Sequence, residues 1–364
     1  MAVRSARLAG LTGICATLAL PCAAQVTPAA GYTPPDNTPV IRIGAVIYTD
    51  YTVTEKPKGT DADGNEFTPN SFNVGRAYLN ITGNISHIVA FRITPDITRE
   101  TGTGSSLNGS YTYRLKYAYA QFNLDDWMPR GSWVRLGMQQ TPWIDFEEGI
   151  YRYRFQGTVY AEREGFMSSS DVGATMHYNF KHNYGEIHGG VYNGENYNHF
   201  EANDQKAFQI RGTLRPLPQS GVLRGLRVTG FYDHDAYVKN ADRERGIVAV
   251  TFEHPHLNTA VEYVQTTDQT TTKTAKSKSK GVSFWATPRA SNGWEGLFRV
   301  DWIEPNKDLD PTRSRFIVGV AYWFPHQGAV TSALLLDFEN VGNNDFTPPR
   351  SDERRYAVHA LISF

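Results

Sequence analysis

The sequence has almost no cysteine: Cys15 and Cys22 are its only two, and both fall in an N-terminal stretch built for removal. Arg4 and Arg7 give that stretch a positive start, Leu8 to Leu20 form a short apolar run, and Cys22-Ala23-Ala24 supplies small residues for cleavage after Ala24. This order is that of a secretory signal peptide over residues 1–24, and its apolar run is too short to cross a bilayer as a helix. Acylation of Cys22 is the competing reading, although Pro21 stands where such processing wants a small residue. The exported chain would then carry no cysteine in an oxidising compartment, which excludes the disulfides that support small secreted domains.

Two further absences narrow the class. No stretch of about 18 consecutive apolar residues follows the signal, which excludes a helical membrane protein. Charge of one sign is lacking too: without the signal, 34 basic residues stand against 37 acidic ones, a net of −3. Such a balance points to no nucleic-acid partner and no polybasic membrane patch. Glycine-rich phosphate loops, zinc spacings and nucleotide fingerprints are missing, so no cofactor or metal is expected. No Ser/His/acid grouping offers a nucleophile with a positioned base, and the chain is not expected to be an enzyme. Asp233-His234-Asp235 has metal-ligand residue types, but in a strand its carboxylates and imidazole point to opposite faces.

What is abundant is aromatic and alternating. The chain holds 20 Tyr, 19 Phe, 7 Trp and 32 Gly. Residues 25–39, QVTPAAGYTPPDNTP, form a Pro/Thr-rich leader expected to lack packed structure. From Ile41 the pattern has period two. In Phe91–Ile97 the odd positions are mostly apolar; in Tyr113–Tyr119 the odd positions place aromatics on one face; Phe316, Val318, Val320, Tyr322 and Phe324 do the same further on. Such runs are strands with one oily and one wetter side.

Sixteen strands are expected, near 41–52, 72–83, 86–98, 111–124, 132–140, 170–180, 184–193, 205–215, 224–237, 243–253, 257–267, 280–288, 293–304, 312–324, 330–340 and 354–364. Their lengths suit the ~9–11 residues of a tilted membrane-crossing strand. Short connections around Gly83-Asn84, Lys181–Asn183, His254–His256 and Pro325–Gly328 alternate with mostly longer ones. That rhythm is how a transmembrane antiparallel β-barrel of the bacterial outer membrane distributes periplasmic turns and external loops. Residues 40–364 therefore form the expected all-β barrel. Its last strand carries Tyr356, Val358, Ala360, Ile362 and Phe364 on one face, a lipid-facing stripe that ends on an interfacial ring.

The opposite face is basic on four neighbouring strands. Arg76, Arg92, Arg114, Lys116 and Arg135 oppose residues such as Ala77, Phe91, Leu115 and Leu136, so they are expected to line the lumen. A charge facing lipid at mid-depth costs about 2–4 kcal/mol, which turns such side chains toward water. Arg211, Arg215, Arg313 and Arg315 would extend this side, with acids at Asp96, Glu262, Asp301, Asp337 and Glu339. Fixed cations select for anions; pairing with those acids would instead leave an unselective channel. The longest connection, 141–169, sets Glu147, Glu148, Arg152, Arg154, Glu162 and Arg163 among Trp143, Phe146, Tyr151, Tyr153, Phe155 and Tyr160. A loop so long and so aromatic is expected to fold inward as a constriction, the other possibility being packing among external loops or on a partner. Lys273, Lys276, Lys278 and Lys280 form a basic external loop, placed to collect anions or to meet lipopolysaccharide phosphates.

The segments NVGRAYLNITGNISHIVAFRITPDI and RLGMQQTPWIDFEEGIYRYRFQGTVYAEREG and the closing AVHALISF together resemble the phosphate-selective porins O and P. The resemblance implies a sixteen-stranded barrel, a third external loop folded into the lumen, and a homotrimer. It also implies an arginine ladder, for which Arg76, Arg92, Arg114, Lys116 and Arg135 are the candidates. The family's anion-selective members carry a lysine cluster at the constriction; here that loop holds arginines and glutamates instead. The expected activity is passive diffusion of small hydrophilic solutes with a lean toward phosphate-like anions. An unselective channel or one for another anion is the alternative; a barrel-anchored enzyme or adhesin is the alternative of another class.

Overall fold

The computed structural model describes residues 33–364; the signal peptide, its cleavage point and the leader up to residue 32 lie outside the described residues. Sixteen strands form one closed antiparallel barrel. They are β1 (Val40–Lys56), β2 (Asn70–Asn84), β3 (Val89–Arg99), β4 (Tyr111–Asn123), β5 (Trp133–Gln140), β6 (Ser170–Asn179), β7 (Gly185–Tyr192) and β8 (Ala207–Leu214). Then follow β9 (Leu226–Asp235), β10 (Arg243–His254), β11 (Leu257–Asp268), β12 (Ser277–Pro288), β13 (Trp294–Glu304), β14 (Thr312–Phe324), β15 (Thr331–Asn344) and β16 (Glu353–Ser363). Each pairs with its chain neighbours, and β16 closes on β1 from Val46 opposite Ser363 to Lys56 opposite Arg354. Among the described residues no helix is long and apolar enough to cross a membrane.

The period-two pattern decides which side chains face out. On β16, Tyr356, Val358, Ile362 and Phe364 are exposed while Ala357, His359 and Leu361 are buried inside. Phe364 extends the closure, since its N–H donates to the Ala45 carbonyl at 3.1 Å and its carbonyl accepts from Ala45 at 2.9 Å. Gly44 makes room for this: a Cβ there would stand 2.4 Å from the Phe364 carbonyl oxygen.

Three register shifts interrupt the ladder, one of them at Glu55 of β1 against β16. Gly75 is the extra residue between β1 and β2, and Lys116 is the extra residue of β4 against Thr94 and Pro95. An inserted residue reverses the facing of everything beyond it. Tyr117 and Tyr119 are therefore buried inside, whereas Tyr113 and Leu115 face out. This corrects the expectation that the aromatics of Tyr113–Tyr119 share one face.

Smaller differences have local causes. Gly83-Asn84 belongs to β2, and the turn is 85–88. Residues 33–37 are tied down: Thr33 Oγ1 donates to Asp125 at 2.7 Å, and His87 N–H donates to Asn37 at 3.0 Å. This end of the leader is therefore packed on the turns, not free. The first long loop adds a two-stranded ribbon, residues 59–60 with 66–67. Strands β2 and β3 pair only from Ile81–Ile93 to Asn84–Ala90; above that, an Arg76–Asp96 ion pair at 2.8 Å bridges them.

The outward stripe has a direct test. Leu336 is 63% exposed on the outer face of β15. Leu336→Arg should lower unfolding stability in lipid vesicles by about 2–4 kcal/mol in a urea titration. Unchanged stability would place this face in water.

Candidate functional site: the constriction of the barrel

The loop 141–169 is closed at its neck, where Thr141 Oγ1 donates to the Ser168 carbonyl at 2.6 Å. Pro142, whose fixed φ suits a first helical position, starts helix α1 (Pro142–Ile150); a second short helix, α2, spans Tyr160–Arg163. One face of α1 buries Trp143, Ile144, Glu147 and Ile150. Trp143 meets Phe231 of β9 at 6.0 Å between ring centroids, and Asn258 of β11 donates to the Ile150 carbonyl at 3.0 Å. Tyr151 packs on Trp285, and Phe155 on Trp323 and His359, all inward residues of the wall. The loop lies inside the barrel.

Polar bonds fix it there. Glu164 is held by Arg313 and by Arg315, the latter at 2.6 Å. Arg152 pairs with Glu295 at 3.0 Å, and Gln156 donates to Glu339 at 3.0 Å. Arg163 approaches Glu339 at 3.7 Å. Tyr160 donates to the Trp302 carbonyl at 2.8 Å, Arg299 to Thr158 at 3.1 Å, and Arg245 to Phe166 at 2.8 Å. Each of these buried charges or carbonyls would be costly without its partner.

The loop's charged residues thus divide. Arg152 and Arg163 are bound to the wall, and Glu147 is buried against Glu262, Arg299 and Asp301. These three are engaged by residues of the wall. Glu148, Arg154 and Glu162 face the other way. Arg154 contacts Glu148 and pairs with Glu162 at 2.8 Å, and the two carboxylates have Lys116 and Arg76 as charged neighbours.

Across from this triad is the basic wall. All five predicted cations point inward, and only Arg76 has a carboxylate partner within 4.0 Å among the described residues. Arg92 donates to Thr94 at 2.9 Å and Asn80 at 3.0 Å and lies 4.3 Å over the Tyr117 ring. Arg135 donates to Gln121 at 2.8 Å and stacks on Trp133 and Tyr119 at 3.7 and 4.7 Å. Lys116 donates to Ser169 Oγ at 2.5 Å. Tyr197, from the loop 193–206, covers both Lys116 and Arg114. Arg92, Lys116 and Arg135 are 0, 1 and 3% exposed, so they lie under aromatic and loop cover rather than in open water.

Three of the other arginines do not extend this wall. Arg211 is paired with Glu186 at 2.7 Å, and Arg313 and Arg315 are spent on Glu164 and Glu339. Arg76, Arg92, Arg114, Lys116 and Arg135 of the wall and Arg154 of the loop stand with Asp96, Glu148 and Glu162 among them. Sequence reasoning missed Tyr117, Tyr119, Tyr197 and Ser169: the first two are hidden by a bulge, the others sit in loops without periodicity. The carboxylates of Asp233 and Asp235 are buried and His234 is exposed on the other side. Among the described residues no group of three His, Asp or Glu is arranged to hold a metal.

No protein-family model matches the sequence. No curated protein matches it either. Solved structures do. An anion-selective porin from Comamonas acidovorans superposes with a TM-score of 0.62 at 11% identity, covering 90% of this chain and 100% of that one. The chain has a porin fold. A loop-deletion form of OmpT, an outer membrane protein of Vibrio cholerae, superposes at 0.59 with 12% identity over 90% of this chain and 99% of that one. OmpF of Salmonella typhi, in complex with daunomycin, superposes at 0.58 with 12% identity over 89 and 97%.

Burial pushes the Glu147 carboxyl pKa up from 4.5 to about 7, with Asp301 and Glu148 adding and Arg299 opposing. An acid whose folded pKa is raised contributes stability that is complete below its unfolded value and lost as pH rises through the folded one. The heat-unfolding midpoint in detergent should therefore fall between pH 5 and 8. Glu147→Gln should remove on the order of 3 kcal/mol of that dependence; equal slopes for both proteins would contradict the assignment.

Proposed function

We propose that the chain is an outer-membrane channel through which small hydrophilic solutes diffuse, and that anions are favoured. The observation that carries this is the charge division across the lumen. Arg92, Arg114, Lys116 and Arg135 have no carboxylate partner among the described residues, while the arginines behind the constriction loop are paired. A lumen wall of uncompensated cations attracts anions and raises their local concentration. Arginine adds a planar fork that takes an oxyanion through two hydrogen bonds. The resemblance of two long segments to the phosphate-selective porins O and P supports phosphate-like anions as the solute class. We place the chain in the outer membrane after removal of residues 1–24, as a homotrimer in contact with lipid and lipopolysaccharide.

Glu148 and Glu162 favour a second reading. Both are partly exposed at the narrow section, and a cation could use them. The channel would then be unselective, its charges setting up a field across the lumen.

Reversal potentials in a planar bilayer separate the two. In a potassium chloride gradient the wild-type channel should show anion preference. Arg114→Gln with Lys116→Gln should reduce the anion-to-cation permeability ratio without preventing insertion. Cation preference in the wild type, or an unchanged ratio in the double variant, would contradict the anion reading.

A further inference from the structure

We propose that the loop 193–206, between β7 and β8, is a second constriction element whose Tyr197 lids an oxyanion site made by Arg114 and Lys116. The inference rests on the channel reading above and names what controls access to its cations.

The loop is anchored at its base and turned inward. Asn193 N–H donates to the Val172 carbonyl at 2.9 Å, Gly194 N–H to Asp171 at 2.8 Å, and Arg243 to the Gly194 carbonyl at 2.8 Å. Gly194 and Asn196 both take left-handed backbone, at φ 103° and 67°, which only glycine and asparagine adopt readily. This folds the chain over the lumen. Tyr197 follows directly, and three residues later Phe200 is 97% exposed at the tip.

The ring of Tyr197 lies 4.1 Å from Lys116 Nζ and 4.8 Å from the Arg114 guanidinium carbon. Those cations are otherwise poorly served. Lys116 has one hydroxyl, Ser169 Oγ, and Arg114 Nε is buried without any partner. A buried cation without a carboxylate partner is costly, and a ring face is a weak substitute for an anion. A carboxylate or phosphate oxygen would satisfy both cations with charge-assisted hydrogen bonds. Ring and anion compete for the same nitrogens, so an anion binds by displacing Tyr197.

The test is the chloride current through single channels in a planar bilayer, titrated with inorganic phosphate. Tyr197→Ala should tighten phosphate block by about 3-fold, the weight of a lost cation–π contact, and raise the anion-to-cation permeability ratio. Tyr197→Phe, which keeps the ring, should restore the wild-type values. With Arg114→Gln and Lys116→Gln already present, Tyr197→Ala should change neither quantity; Arg114→Gln alone serves if the double background does not assemble. Unchanged block in Tyr197→Ala overturns the lid. An equal change in both backgrounds also overturns it, because Tyr197 would then be only a steric plug. A wild-type protein that carries no current overturns the channel reading itself, and this inference with it.

Discussion

The inward course of the long loop depends on one arrangement: Glu164, near its end, held by Arg313 and Arg315 of the barrel wall. A twenty-nine-residue connection has no reason to stay inside a barrel unless its charges are answered there. Glu164 is 1% exposed at its side chain and meets two guanidinium groups, an arrangement close to the bidentate limit of carboxylate recognition. Glu339 and Glu295 repeat the pattern with Arg315, Arg163, Arg355 and Arg152. The aromatic side chains fill the space between these pairs, and their packing excludes water that would weaken them.

The pairing also explains the charge asymmetry of the lumen. Where the loop lies against β9 to β15, arginine and carboxylate neutralise each other. Strands β2 to β5 lie across from it, and there the cations rest on tyrosine and tryptophan rings, hydroxyls and amides. A ring stabilises a cation without cancelling its charge. The barrel thus keeps positive charge on one side of its narrow section, while the loop supplies Glu148 and Glu162 opposite.

Much of the fold was legible because membrane strands must alternate. Phe316 to Phe324 and Tyr356 to Phe364 face out as their parity requires, and the inward facing of Arg76, Arg92 and Arg135 followed from the same rule. Parity failed at Lys116, where a single inserted residue carries no compositional mark and turned Tyr117 and Tyr119 inward. In the constriction loop, the abundance of aromatics marked it as packed. Which glutamates and arginines would face the wall was not legible, because that depends on wall partners more than a hundred residues away in the chain, such as Glu295 for Arg152. Tyr197 was invisible for a similar reason: it lies in a loop whose course is set by Asp171 and Arg243.

On the proposed reading, the loop held inside the barrel sets both the width and the charge of the passage. Replacing residues 143–167 with a short Gly-Ser linker and recording single-channel conductance tests this most directly. Conductance should rise several-fold with loss of ion preference; conductance and preference equal to those of the intact chain would show that the loop sets neither.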